Sequence, residues 1–234
     1  MVVNSDYIIE RNSMKIYTPR ALVACEESGR VRDALSRVGF DAMSSDLLPS
    51  RTEGKHYQGD VRDILYDDWD LLIAHPPCTY LSSSGLHWNK RTLGRAALTE
   101  DALTFVRLLL DAPAQYIALE NPVGCISSQI REPDQIIQPW MFGENASKAT
   151  CFWLKGLTSL VPTSYHPPRT VLDSGKWVMR WDNQTDSGQN RLGPSVDRAK
   201  IRSATYEGIA DAIADQWGRQ IINLTRTQNS VMKP

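Results

Sequence analysis

Apolar positions in this chain follow two periods. Ala21-Leu22-Val23-Ala24-Cys25 is an unbroken apolar run, which reads as a strand buried on both faces. It ends in Glu26-Glu27-Ser28-Gly29. Val31, Ala34, Leu35 and Val38 then recur at i, i+3, i+4 and i+7, the stripe of an amphipathic helix, and Gly39 stops it. Phe40 to Ser45 reads as a second strand closing on Asp46, and Gly59-Asp60-Val61 as a turn with an acid. Trp69 to Ala74 is a third strand that runs straight into His75-Pro76-Pro77-Cys78. Thr99 to Asp111 is helical, with Ala102, Phe105, Val106, Leu109 and Leu110 apolar. Gln115 to Leu119 is a fourth strand, after which Glu120-Asn121-Pro122 reads as a stiff turn. Ala149 to Leu154 is a fifth strand. Tyr206 to Ile222 is a last helix, burying Ile209, Ala210, Ile213, Ala214 and Trp217.

Strands alternating with helices predict an α/β fold of Rossmann-like layout, a mostly parallel sheet with helices on both faces. Residues 1 to 18 are polar and mixed and read as a leader, with Met14 an alternative start. The remainder, 19–234, reads as a single domain, an ordinary size for a chain of 234 residues. Between Gly156 and Ser203 the periodicity dissolves. That stretch holds Pro162, Pro167, Pro168, Gly175, Gly188, Gly193 and Pro194, with seven Lys or Arg and both Trp177 and Trp181.

Composition narrows the function. Lys plus Arg total 26 against 27 Asp plus Glu, so bulk charge does not draw this chain to nucleic acid, although a local basic cleft remains open to it. No apolar run approaches the ~20 residues of a membrane span, and no signal peptide is visible. Cys25, Cys78, Cys125 and Cys151 are far apart and form no CxxC pair, which disfavours zinc and a disulfide framework and makes the cytoplasm the expected compartment. His56, His75, His87 and His166 are scattered, so no metal site is expected.

In an open α/β sheet, ligands bind beyond the carboxyl ends of the strands. Here the first strand delivers Glu26, Glu27, Ser28 and Gly29 to that edge, the second Asp46, the third Pro76, Pro77 and Cys78, and the fourth Glu120, Asn121 and Pro122. A lone cysteine is ordinarily a small buried hydrophobe. Pro-Pro before Cys78 instead fixes an extended backbone that presents the thiol to the crevice, with an acid arriving from the next strand. Glu120 reads equally as a helix cap or an arginine partner.

The order of these motifs resembles the DNA cytosine-5 methyltransferase family, and the compact methyltransferase-like proteins that phages and prophages encode. The likeness spans about Leu22 to Trp217. It implies the fold of S-adenosylmethionine-dependent methyltransferases and attack on a flipped cytosine of duplex DNA. Pro77-Cys78 matches the motif that supplies the family's nucleophile, and Glu120-Asn121 the motif that supplies its acid. Leu22 to Val38 stands where the family binds S-adenosylmethionine, with Glu26, Glu27, Ser28 and Gly29 in the turn and Pro77 nearby. Asp46 matches the acid that holds the cofactor ribose, Asp60 the acid near the adenine, and Tyr206, within Thr205-Tyr206-Glu207-Gly208, the motif that closes on the cofactor pocket. Phe142 to Leu154 matches the segment that carries Gln-x-Arg-x-Arg. Pro76, Asn121, Pro122 and Thr150 then line the substrate, and Arg191, Arg198 and Arg202 contact DNA.

The chain departs from the family at four places. Only Gly29 remains of a glycine-rich turn, so Glu26 or Glu27 is expected to meet the amino group of the cofactor. Ser147-Lys148-Ala149-Thr150 replaces Gln-x-Arg-x-Arg, leaving Lys148 as the donor to the base carbonyl without a planar fork. Thr79-Tyr80 follows Cys78. The target-reading domain is reduced to 156–203, which reads either as a surface loop packing its tryptophans on the main domain or as a DNA-contacting loop in which Trp177 or Trp181 stacks on bases. Positive charge is expected to gather there. Alternatives are a related enzyme acting on RNA, on a free nucleotide or with another one-carbon donor, and a non-catalytic binding protein on the same scaffold.

Overall fold

The computed structural model describes residues 17–195 and 198–231. Most of the expected leader lies outside these. Tyr17, the first described residue, donates its hydroxyl to Asp70 at 2.7 Å. The elements in order are β1 (Arg20–Ala24), α1 (Arg30–Val38), β2 (Asp41–Asp46), β3 (His56–Gln58), β4 (Leu71–Ala74), α2 (Ser83–Leu86), α3 (Arg95–Leu110) and β5 (Tyr116–Pro122). Then follow α4 (Ile126–Gln129), β6 (Gln135–Ile137), β7 (Thr150–Lys155), β8 (Arg169–Asp173), β9 (Lys176–Arg180), α5 (Arg198–Ser203), α6 (Glu207–Ala212) and α7 (Arg219–Val231). A π-helical turn, Ile213–Gly218, joins α6 to α7 within the expected last helix.

Seven strands form one sheet in the order β3-β2-β1-β4-β5-β7-β6. All pairs are parallel except those of β7, which runs against both β5 and β6. The order reverses between β1 and β4, the switch point at which a crevice opens in doubly wound sheets. The fold is thus mixed α/β and Rossmann-like.

Successive residues of a strand point to opposite faces, and the core divides accordingly. Ala21 and Val23, with Leu71 and Ile73, pack under α1, α6 and the π turn, where Trp217 is fully buried. Leu22 and Ala24, with Leu72 and Ala74, pack under α3, alongside Val61, Leu65 and Trp153. Burial on both faces is why β1 and β4 read as unbroken apolar runs. No helix among the described residues is long and apolar enough to cross a membrane.

The structure corrects three expectations. Glu120-Asn121-Pro122 is not a turn after β5 but its last three residues, because β7 continues the ladder to Pro122↔Thr150. β3 and β6 are additional strands of three residues each, at the two edges of the sheet. The segment 156–203 is not a structureless loop. It carries the hairpin β8–β9, turned at Ser174 and Gly175, both with positive φ, and the short helix α5.

Candidate functional site

Two strand ends are stitched together at the carboxyl edge. β4 and β5 are adjacent and in register at Ala74↔Leu119, which makes His75 and Glu120 the next residues on neighbouring strands. His75 Nδ1 lies 3.3 Å from Glu120 Oε2. One residue on, the buried Asn121 donates Nδ2–H to the Pro76 carbonyl at 2.7 Å. Beyond the strands, Ser83 N–H bonds to Val123 O at 3.0 Å and Cys125 N–H to Leu81 O at 2.9 Å. Gly124 fits between them because a Cβ there would collide with the Leu81 carbonyl oxygen. Cys78 begins the short 3-10 turn Cys78–Tyr80 between these ties, with Pro77 extended at its N-cap, and its thiol is exposed. The nucleophile candidate is therefore held by backbone hydrogen bonds and two prolines rather than by packing of its own side chain.

The electrostatics centre on Glu120. Burial pushes its carboxyl up, while the charge of Lys148 and the hydrogen bond and charge of His75 push it down, and the balance lies below the usual carboxylate range. Lys148 reaches this edge because β7 runs backwards, so the residues just before Thr150 arrive beside Pro122. Its ammonium also donates to the Arg202 carbonyl at 3.2 Å. Thr150 is buried and donates its hydroxyl to Lys148 O at 3.1 Å, which fixes the turn into β7. The other thiols nearby stay protonated: burial and then Asp46 and Asp60 push Cys25 up to about 12, and burial and then Glu120 push Cys151 up to about 11.

On the other side of the switch point, the β1–α1 turn is built differently from the sequence expectation. Cys25 has a positive φ of 59°, a strained conformation for a residue with a side chain. The turn folds Glu26 back onto α1. Its buried carboxylate accepts the N–H groups of Val31 at 2.8 Å and Arg32 at 3.3 Å and the Ser28 hydroxyl at 3.0 Å. Glu26 is a helix cap, so its carboxylate is already engaged rather than turned to a cofactor amine. Glu27 is likewise engaged, in an ion pair with Arg51. Gly29 has a φ of 74°, and a Cβ there would meet Thr52 and Arg32.

A pyrophosphate at this turn needs the free N–H groups of the helix N-terminus. Here a carboxylate holds them, so the turn favours a ligand without phosphate. Asp46, at the end of β2, accepts the Leu48 N–H at 2.9 Å through Oδ1. Next to it, Ser45 Oγ is buried without a hydrogen-bond partner, as is Arg51 Nε, and across the edge so are His75 Nε2 and Asn121 Oδ1. These four belong to the strand ends and the loop after β2; Asn89 Oδ1, Arg95 Nε and Arg169 Nε are orphaned elsewhere among the described residues. Asp60 is held by the Arg62 guanidinium and N–H, which also keep its carboxyl below the usual range.

A cavity of about 510 Å³ adjoins Lys148 and is lined also by Asn183, Asn190, Arg191, Arg202 and Tyr206. Among the described residues, no acidic side chain lines it. Burial and then Glu144 raise the Tyr206 phenol. Arg198, at the start of α5, is half-buried and outside this lining. Within the hairpin region positive charge does not gather freely, because Arg169 pairs with Asp186 at 2.5 Å and Arg180 with Asp173 at 3.4 Å. The two tryptophans divide. Trp181 stacks on Trp140 with centroids 5.3 Å apart and donates its ring N–H to His166 O, so it packs on the main body. Trp177 is 72% exposed.

No family model and no curated protein matches the chain. Among solved structures it is similar to a prophage-encoded protein of E. coli, provisionally assigned as a DNA modification methyltransferase, with a TM-score of 0.41 and 16% identity over 64% of this chain. The chain spans about half of that protein, 53% of its length. What the site can do follows from its own geometry.

Sequence reasoning missed three features of this site. The His75–Glu120 pair becomes visible only once β4 and β5 are in register. The Glu26 cap had a signal, an acid five residues ahead of the first apolar position of a helix, but the same acid also reads as a ligand. Arg32, 1% exposed, gives no pattern signal at all.

Proposed function

We propose that this chain is an S-adenosylmethionine-dependent DNA methyltransferase that acts at C5 of a flipped cytosine through a covalent adduct on Cys78. The observation that supports this reading is the stitched pair of strand ends: the exposed Cys78 follows β4, Glu120 lies on the adjacent β5, and the Asn121–Pro76 and His75–Glu120 hydrogen bonds tie the two together. The phosphate-free character of the β1–α1 turn supports a sulfonium cofactor over a dinucleotide. Asp46 would accept hydrogen bonds from the cofactor ribose, with Ser28 and Gly29 shaping the wall and Asp60, Pro77 and Tyr206 at its rim. Bound there, the cofactor supplies an electrophilic methyl carbon.

Cytosine C5 is a weak nucleophile while the ring is aromatic. The Cys78 thiolate bonds to C6, the C5=C6 pair becomes C4=C5, and the C4=N3 pair takes a proton from Glu120. C5 then carries the electron density that methylation needs. Later the C5 proton passes to water, the sulfur leaves C6 with its bonding pair, the N3 proton returns to Glu120, and the ring closes its π system. Lys148 donates to the base carbonyl, and Pro76, Asn121, Pro122 and Thr150 hold the walls around the ring. The cavity beside Lys148 admits a nucleotide phosphate, with Arg191 and Arg202 as donors and Arg198 at its approach. Trp177 on the β8–β9 hairpin offers a stacking surface to a base.

The test is to incubate the full chain with methyl-labelled cofactor and unmethylated duplex DNA, RNA or dCMP in parallel, and to analyse the nucleosides by mass spectrometry. 5-Methyl-2′-deoxycytidine from the duplex is expected. A product methylated on the exocyclic nitrogen, or none, would overturn the reading, and a product only from RNA or dCMP would move the substrate class. Glu120→Gln should lower the rate by about 10²-fold or more, the usual scale for loss of a positioned acid. A rate within about threefold of wild type would take Glu120 out of the chemistry.

A further inference from the structure

The amino-acid end of the cofactor invoked above carries two charges, an ammonium and a carboxylate on one carbon. A carboxylate readily settles on the free N–H groups of a helix N-terminus. At α1 those of Val31 and Arg32 are already taken by Glu26. The carboxylate therefore needs a cation from another element of this edge, and the ammonium needs an acid.

Resting on that reading of the site, we propose that the Glu27–Arg51 ion pair is the receptor for the α-amino acid end of S-adenosylmethionine, with Arg51 taking the carboxylate and Glu27 the ammonium. Glu27 follows β1 and Arg51 follows β2, neighbouring parallel strands in register at Ala24↔Ser45. Asp46, the acid assigned to the ribose, ends β2 and leads into the loop that carries Arg51. The Arg51 N–H donates to Glu27 O at 2.8 Å, so backbone and side chains both join the two turns. On either side of Arg51, the Arg32 guanidinium donates to the Ser50 hydroxyl at 3.0 Å and the Thr52 hydroxyl at 2.6 Å, which fixes the loop.

Neither member of the pair is used up by the other. Arg51 donates through Nη2 alone, to Glu27 Oε1 and, at 3.0 Å, to Lys200 O. Its Nε is buried without an acceptor. Arg95 and Arg169 share that defect, but only Arg51 combines it with an acid from the neighbouring strand end. Glu27 accepts through Oε1, and among the described residues nothing bonds to its Oε2. The Arg51 and Glu27 side chains are 23% and 16% exposed, open enough to be reached and shielded enough for charge to count. The pair opposes a phosphate through Glu27 and a simple cation through Arg51. A zwitterion meets both, completing a ring of four alternating charges in which a guanidinium edge faces a carboxylate.

The test is calorimetry on the full chain with S-adenosylhomocysteine, its decarboxylated amine, and 5′-deoxy-5′-methylthioadenosine, which lacks the amino-acid end. Wild type should bind the decarboxylated amine about 10- to 100-fold more weakly than S-adenosylhomocysteine, the scale of a hydrogen bond to a charged group. Arg51→Gln should weaken S-adenosylhomocysteine by a similar factor and leave the decarboxylated amine within about twofold. Glu27→Gln should weaken both of these, since both keep the ammonium, and leave methylthioadenosine within about twofold. A pair that only ties the two turns together would weaken all three ligands alike when broken, and that result overturns the proposal. So does an Arg51→Gln chain with unchanged affinity for S-adenosylhomocysteine. Wild type that binds the decarboxylated amine as tightly as S-adenosylhomocysteine overturns it too, and this comparison needs no variant to fold. Wild type that binds none of the three ligands overturns instead the function on which the proposal rests.

Discussion

Cys78→Ala is expected to abolish methyl transfer, by at least about 10³-fold, while leaving the fold and the cofactor crevice intact. Cys78 is exposed, so truncating it opens no buried cavity. Its loop is held by backbone bonds and by the Asn121–Pro76 tie, none of which involves sulfur. Calorimetry with S-adenosylhomocysteine should give the same Kd for the variant as for wild type. A stronger form uses duplex DNA carrying 5-fluorocytosine. Fluorine cannot leave C5 as a proton does, so elimination stops and a wild-type adduct should persist through denaturing electrophoresis. Peptide mapping should place it on Cys78. Methylation by Cys78→Ala near the wild-type rate, or an adduct on another residue, would remove the covalent mechanism.

Arg32→Met should be the most destabilising of the changes at this edge, at about 3–5 kcal/mol, the usual cost of breaking a buried charge network. Arg32 is 1% exposed. Its guanidinium donates to the Asp33 carboxylate at 2.8 Å, the hydroxyls of Ser44 at 3.2 Å, Ser50 at 3.0 Å and Thr52 at 2.6 Å, and the Glu53 carbonyl at 2.7 Å. Gly29 and Gly54 leave it room, since a Cβ at either would press on the guanidinium. Methionine fills the volume but leaves these acceptors facing an apolar chain. For a protein of this size the loss corresponds to a fall in Tm of roughly 10 °C. Because Arg51 sits in the same loop and pairs with Glu27, the affinity for cofactor should fall as well. Arg32→Lys should rescue little, because an ammonium cannot match the five-donor fork. An unfolding free energy from urea titration that falls by less than about 1 kcal/mol would show the network to be dispensable.

The parts of this fold that were legible in the sequence are those where one physical demand acts alone. Ala21–Ala24 of β1 and Leu71–Ala74 of β4 lie between two helical layers, so these residues must be apolar and the run announces itself. The α1 stripe is equally plain, because one face meets the sheet and the other meets water. β3 (His-Tyr-Gln) and β6 (Gln-Ile-Ile) escaped because a three-residue edge strand has no room for a period. Glu120-Asn121-Pro122 read as a turn because proline normally ends a ladder; the antiparallel partner β7 supplies the pairing that extends it. The hairpin had a usable cue in Ser174-Gly175 between Val171-Leu172 and Trp177-Val178, hidden by the surrounding prolines. At the site, the strand-end rule found Cys78 and Glu120, because chain direction alone fixes which edge they reach. It could not separate Glu26 the cap from Glu26 the ligand, since that choice turns on the left-handed backbone of Cys25.

The reversal of β7 sorts the connections of the sheet into two rims. On one rim, the turns after β1, β2, β4 and β5 and the turn before β7 all face the crevice. On the other rim lie the turns that only re-enter the sheet: Gly39-Phe40, Asp67-Asp68, Asp111 to Gln115 and the exit at Gly156. Insertions can therefore be placed with opposite intent. An affinity tag or a fused domain set between the exposed residues Asp67 and Asp68 stays a full strand length from Cys78. Randomising Ser147, one position ahead of Lys148, would change part of the wall of the cavity without touching any strand.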